Sequence, residues 1–225
     1  MGIKEITQDD KETLKKNMEE REERDRKDAE EREESRRMDM RDNPVKYMAM
    51  AGIKKRFLSA TLKEIKLPPR IVRITTEFFE SDGGLFLTGD VGSGKTYLAC
   101  AIARDLIIEG HRVLFITAPN LFQDIRATFG KDKAGEQSII NKYSKVEYLI
   151  IDDLGSEKQT DFSLDRLYLI INNRYSEMLS SIITSNLSLD EIKEKIHDRI
   201  SSRIAGSCRV IIMPKIDLRL TNKRR

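Results

Sequence analysis

The sequence predicts an α/β fold: a five-stranded parallel sheet with helices on both faces. Five short apolar runs carry that expectation, at residues 85–88, 112–117, 148–152, 181–184 and 209–213. Stretches with helical spacing separate them, near 95–109, 119–129, 163–180 and 189–204. Near-continuous apolar strands that alternate with helices fit a parallel sheet buried on both sides. A glycine-rich turn, Gly89-Asp90-Val91-Gly92-Ser93-Gly94-Lys95-Thr96, then joins the first run to the first of these helices.

The chain has 225 residues, enough for one ordinary domain with an appendage. Residues 1–42 form that appendage, a charged and mostly helical arm. They hold 12 Lys and Arg against 16 Asp and Glu, a net of −4, whereas the remainder holds 29 against 22, a net of +7. Glu and Arg favour helix, and Glu20–Arg24 and Glu22–Arg26 stand four apart with the acid first. The apolar positions Leu14, Met18, Ala29 and Met38 are too sparse for heptads or for a share in a core. The arm is either a solvated linker or a docking element for another protein. Asn43-Pro44 ends it. Residues 43–80 bridge into the core; Leu67-Pro68-Pro69 breaks the bridge, and 71–79 reads as a helix with one apolar face. The core spans 81–213, and 214–225 is a basic tail.

Apolar residues make up 39% of the chain and charged residues 35%. No apolar run reaches the ~18 residues of a membrane span. Met1–Asp10 lacks the apolar centre of a signal peptide, so a cytoplasmic protein with no membrane partner is expected. Cys100 and Cys208 lie in apolar stretches and read as buried thiols, without the spacing of a zinc site.

The turn at Gly89–Thr96 has the pattern Gly, four residues, Gly-Lys-Thr, a phosphate-binding P-loop. Its glycines free the backbone so that successive N–H groups point at phosphate oxygens, and the helix that follows adds its positive end. The expected site is Gly89, Asp90, Val91, Gly92, Ser93, Gly94, Lys95, Thr96 and Tyr97. Lys95 would meet the β and γ phosphates of a nucleotide, and the Thr96 hydroxyl would hold Mg2+. The strand Tyr148-Leu149-Ile150-Ile151 ends in Asp152 and Asp153. Asp152 is placed to hold Mg2+, and Asp153 to act as the base that activates water. Another apolar strand ends in Ser185-Asn186; Asn186 is either a γ-phosphate contact or a turn former. Arg199 and Arg203, four apart, read by themselves as a surface pair on a helix.

These motifs occur in order with Leu154-Gly155, Ile171-Asn172-Asn173-Arg174-Tyr175, Ile183–Leu187 and Asp198–Ile204. Together they resemble the DnaC/IstB group of AAA+ ATPases, the helicase loaders and transposition helper ATPases. Ala51-Gly52-Ile53-Lys54-Lys55-Arg56-Phe57 resembles the lead-in of that group. The resemblance covers roughly residues 50–213 and leaves the arm outside. It implies an AAA+ P-loop NTPase core with no C-terminal lid, so Arg219 in the tail takes no lid role. It implies Walker A at Lys95 and Thr96, Walker B at Asp152 and Asp153, and sensor 1 at Asn186. It further implies that Arg203 reaches the ATP of a neighbouring subunit, with Arg199 as second choice. Many AAA+ proteins carry Glu at the place of Asp153, so slow hydrolysis is expected. Arg126, Lys131, Lys133, Lys142 and Lys145 fall where the group faces single-stranded DNA, though a solvated loop is the other reading. Phe122, Phe129 and Tyr143, the aromatics of that stretch, suit a core equally well.

The resulting expectation is an ATP-dependent helicase loader that uses ATP and Mg2+, self-associates on ATP, binds single-stranded DNA and engages a replicative DnaB-type helicase through the arm. The alternatives are an IstB-like transposition helper, and a binding module switched by ATP with little hydrolysis. A GTPase is disfavoured because Asn141-Lys142-Tyr143-Ser144 lacks the final Asp of a guanine-reading motif.

Overall fold

The computed structural model describes residues 8–80, 83–128, 130, 133–156 and 160–215, with the side chains of 8–14 and 133 excepted. Helix α1 (Gln8–Asp42) is followed by α2 (Pro44–Met50), a 3-10 turn at Lys55–Phe57 and α3 (Pro69–Phe79). The core then runs β1 (Gly84–Thr88), α4 (Lys95–Ile108), β2 (Val113–Thr117), α5 (Ala118–Arg126), α6 (Lys133–Ser144), β3 (Tyr148–Leu154), α7 (Asp161–Ser176), β4 (Ser181–Ser185), α8 (Leu189–Lys195), α9 (Asp198–Ser207) and β5 (Cys208–Ile212). The strands form one parallel sheet in the order β2-β3-β4-β1-β5. The expected fold class is therefore the observed one.

Side chains alternate across the sheet, as successive strand residues must. Leu85, Leu87, Ile150, Ile182 and Ile211 join α2, α3 and α4 in one buried cluster. Phe86, Leu149, Ile151 and Ile183 join α5 through α9 in the other. Cys100 and Cys208 are buried thiols, and burial pushes the Cys208 thiol up to about 11.

Two helices depart from the expectation. The stretch expected as a basic loop contains α6, whose Ile140 and Tyr143 enter the core with Ile139 beside them. The single helix expected over 189–204 is two, α8 and α9. Ser188 and Glu191 close a capping box on α8, and His197 caps α9 by accepting the Arg199 amide at Nδ1 (3.1 Å).

The arm is a single helix of 35 residues, about 50 Å long at 1.5 Å per residue. Its exposed pairs include Lys16–Glu20 and Arg26–Glu30 with the base first, and Glu23–Lys27 with the acid first. The last turns do join the core, against the expectation from their sparse apolar content. Met40 is buried in the cluster over α4. Arg36 donates to the Gly110 carbonyl (3.3 Å), and Arg112 donates to Glu33 (3.1 Å). Asp39 accepts from Asn43, Lys46 and Tyr47, each at 2.7 Å, which holds its carboxyl down at about 2. Sequence missed this anchor because one buried methionine leaves no periodic signal.

Truncation should therefore act in two steps. Removing residues 1–32 is expected to leave thermal stability unchanged. Removing 1–42 takes Met40 out of the core, worth about 2 kcal/mol, and is expected to lower Tm by about 4–8 °C. Equal Tm values for both truncations would show that the anchor contributes nothing.

Candidate functional site

The loop residues Gly89–Thr96, the acids Asp152 and Asp153, and Asn186 come together at the carboxyl ends of β1, β3 and β4. β4 lies beside β1, which brings Asn186 to the P-loop. Gly89, at φ 144°, carries the chain out of β1 so close to β5 that a Cβ there would lie 3.2 Å from Met213 Cβ. Gly94 adopts a left-handed conformation (φ 92°) as the N-cap of α4, which a side chain would disfavour.

Lys95 is 7% exposed, and its Nζ donates to the Gly89 carbonyl (2.6 Å), the Asp90 carbonyl (2.9 Å) and Asn186 Oδ1 (2.8 Å). Asn186 Nδ2 in turn donates to Asp153 Oδ1 (3.1 Å). One chain of hydrogen bonds thus links the loop lysine to the second strand-end acid. A parallel chain runs beneath it. The Thr96 hydroxyl donates to Asp152 Oδ1 (2.8 Å), and the Thr184 hydroxyl donates to the same oxygen (2.7 Å). Thr184 Oγ1 also accepts the Asp153 amide (2.9 Å).

Burial pushes the Asp152 carboxyl up, and the neighbouring Asp153 adds to the rise; Thr184, Thr96 and Lys95 oppose it. A carboxylate held in so dry a place, beside a hydroxyl, suits a divalent cation. Asp153 takes φ 61°, a conformation that Asp and Asn tolerate better than most residues, where β3 slips register against β4. The Ser93 hydroxyl, in the middle of the loop, is buried and has no hydrogen-bond partner among the described residues. An orphaned donor, positive-φ glycines and a confined ammonium together fit a polyphosphate, and Thr96 with Asp152 fits Mg2+.

Thr184 was missed in the sequence, although a threonine inside the apolar run Ser181-Ile182-Ile183 was a usable signal. Thr184→Val removes its hydroxyl and keeps the shape. It is expected to cost about 1–3 kcal/mol, because the Asp153 amide loses its partner in a buried place. A urea midpoint unchanged from the wild type would refute that.

The remaining expected residues lie elsewhere. The Tyr97 hydroxyl donates to Glu64 (2.7 Å) and accepts the Thr61 amide (3.3 Å), so its phenol serves the bridge. Val91 is exposed at the loop. Arg199 and Arg203 stand on α9 against α7: Arg203 Nε donates to Asn172 (2.9 Å), and Arg199 lies 5.8 Å from the Tyr168 ring centre. Of the basic set, Arg126 and Lys145 are exposed. Lys142 donates to Asp124 (3.3 Å) and lies over the Tyr143 ring. Lys131, Phe129 and the Lys133 side chain lie outside the described residues. Phe122 and Tyr143 are core.

A family model described as "IstB-like ATP binding protein" matches residues 5–225, so the likeness takes in nearly all of the arm that the resemblance had left out. The chain is 26% identical over 128 residues to the "Replicative helicase loader DnaC" of Escherichia coli (strain K12), a match covering 57% of this chain and 52% of that protein. It is 26% identical over 168 residues to the "Replicative helicase loader DnaI" of Bacillus subtilis (strain 168), covering 70% and 53%. It thus spans about half the length of each. Among solved structures, that of DnaI matches with a TM-score of 0.64 at 26% identity, covering 72% of this chain and 94% of that one. That of the DnaC helicase loader gives 0.62 at 25%, covering 72% and 100%. Loop, strand-end acids and Asn186 stand together at the carboxyl ends of the central strands, and the chain belongs to the IstB-like ATP-binding protein family, the DnaC/IstB type of AAA+ ATPase.

Proposed function

We propose that this protein binds and hydrolyses ATP with Mg2+, self-associates on ATP, binds single-stranded DNA and delivers a replicative DnaB-type helicase. The observation that carries the nucleotide reading is the double hydrogen-bond chain, Lys95–Asn186–Asp153 above Thr96–Asp152–Thr184. In it, Lys95 would give its ammonium to the β and γ phosphates, while Thr96 and Asp152 would hold Mg2+. Asp153 would take the proton of the attacking water. Asn186, bonded to both Lys95 and Asp153, would keep base and phosphate contact in register. Arg203 of a neighbouring copy, with Arg199 as second choice, would stabilise charge on the transferring phosphoryl group. The names of the DnaC and DnaI relatives support the loader reading, and the exposed Arg126 and Lys145 support a backbone contact with single-stranded DNA.

Asp153→Asn tests the hydrolytic part. Asparagine tolerates the positive φ at this position, so the backbone is preserved while the base is lost. ATP affinity is expected to hold and turnover to fall by about 100-fold or more. Normal turnover would remove Asp153 from the role of base. It would then leave a different group to activate the water.

The arm tests the partner. Protein lacking residues 1–32 keeps the Met40 anchor and is expected to bind ATP but to lose capture of a purified replicative helicase. Raised salt is expected to weaken capture by the full chain, because the arm's charges are exposed and screened. Undiminished capture by the truncated protein would move the helicase contact to the core. Capture of a transposase in place of the helicase would favour the IstB-like helper role instead.

A further inference from the structure

Tyr168, Asn172 and Tyr175 recur along α7 at i, i+4 and i+7, so they share one face. Arg199 and Arg203, at i and i+4 on α9, meet that face. The two arginines are not held alike. Arg199 is exposed, and its guanidinium lies 5.8 Å from the Tyr168 ring centre. Arg203 is half-buried, its guanidinium lies 4.7 Å from the Tyr175 ring centre, and its Nε donates to Asn172 Oδ1 at 2.9 Å. The ring contact and the Nε bond hold the guanidinium at two points, which restricts both its place and its rotation. The forked Nη groups are then left to meet an anion, the geometry in which arginine recognises phosphate. Gly206 completes the fit, because a Cβ there would come within 3.1 Å of Tyr175 Cε2 and press on the ring. In front lies a cleft of about 240 Å³ lined by Tyr168, Asp198, Arg199, Ser202 and Arg203.

We propose that Asn172 and Tyr175 are positioning residues that preset the Arg203 guanidinium for the nucleotide of a neighbouring copy. The inference rests on reading Arg203 as the group offered in trans. A long, rotamer-rich side chain fixed before assembly loses little freedom when the neighbour arrives, and small misplacements of such a group are costly. Arg199, less constrained, is not preset in this way.

Mixed assemblies of full-length subunits test this. Lys95→Ala subunits lack a working ATP site but keep Arg203; Arg203→Ala subunits keep the ATP site. The mixture is expected to hydrolyse ATP where neither subunit does alone. Adding Tyr175→Leu or Asn172→Ala to the Lys95→Ala subunit is expected to lower kcat of the mixture about tenfold with KM for ATP unchanged. Tyr175→Phe, which keeps the ring, is expected to restore it. Placed in the Arg203→Ala subunit instead, Tyr175→Leu is expected to remove nothing further. If the unmodified mixture recovers activity and Tyr175→Leu on the Lys95→Ala subunit leaves it intact, the positioning role is overturned and Arg203 stands. Equal loss from either placement marks a fold defect and also overturns it. No recovery by the unmodified mixture, with co-assembly shown by sedimentation, overturns the trans reading of Arg203 itself.

Discussion

Lys95→Ala is expected to abolish ATP binding and leave the fold intact. The ammonium is held at the loop by two of its carbonyls and Asn186 at 2.6–2.9 Å, and it would exchange some of these bonds for phosphate oxygens. Hydrogen bonds from a charged donor contribute about 1.5–3 kcal/mol each, so losing two phosphate contacts removes affinity by roughly a hundredfold or more. The fold does not depend on this charge, because confining an ammonium at 7% exposure is itself costly. Thermal melts separate the two effects. ATP at a hundred times its Kd stabilises a binding-competent protein by about 2.7 kcal/mol, a rise in Tm of roughly 5–11 °C at this chain length. The variant is expected to show the melting temperature of the ATP-free wild type and no rise. A normal ATP-induced rise would remove the loop as the nucleotide site.

The residues of the candidate site were legible in the sequence because their pattern is tied to backbone positions. A glycine-rich loop between strand and helix, and acids at a strand end, can be read without knowing the packing. Asn186 was legible only in part: the sequence put it at a strand end, and the observed order, with β4 beside β1, brings it to the loop. Thr184 was harder to find: its hydroxyl matters only because the β3 slip brings the Asp153 amide over it. The split between α8 and α9 carried no glycine or proline, and the cap that permits it is the His197 ring, an unusual N-cap. Helix α6 had a signal in Ile139, Ile140 and Tyr143, but the lysines around them read as loop. The anchor of the arm rests on tertiary contacts of Glu33, Arg36, Asp39 and Met40, which local pattern does not encode.

Arg174→Leu is expected to be the most destabilising single change at the end of the sheet remote from the candidate site. Arg174 is 1% exposed, and oxygens rather than a carboxylate compensate its charge. Its Nε donates to Ser181 Oγ (2.8 Å), Nη1 to the carbonyls of Tyr143 (3.2 Å), Ser144 (3.3 Å) and Val146 (2.6 Å), and Nη2 to those of Glu147 (3.1 Å) and Ser180. Burial pulls the guanidinium down to about 10, which still leaves it charged at neutral pH. Two of these carbonyls end α6, where a cation also meets the negative end of the helix. One side chain of α7 thus ties together the end of α6 and the approaches to β3 and β4. Leucine would fill much of the space and take a donor from every one of these acceptors, although the Ser180 carbonyl keeps the Leu149 amide (3.3 Å). Each buried group left unsatisfied costs about 1–3 kcal/mol; because the costs do not add fully, about 4–5 kcal/mol is expected in total. At this chain length that corresponds to a fall in Tm of roughly 8–20 °C. Arg174→Lys keeps the charge but has fewer donors and no planar fork, so an intermediate loss is expected. Added salt should change neither result, since the compensating groups are uncharged and buried. Below its lowered Tm the leucine variant is still expected to bind ATP, because Lys95, Thr96 and Asp152 lie at the opposite ends of the strands. A loss below about 1 kcal/mol in urea unfolding would show that the carbonyls find other partners and that Arg174 is not what holds this end of the sheet.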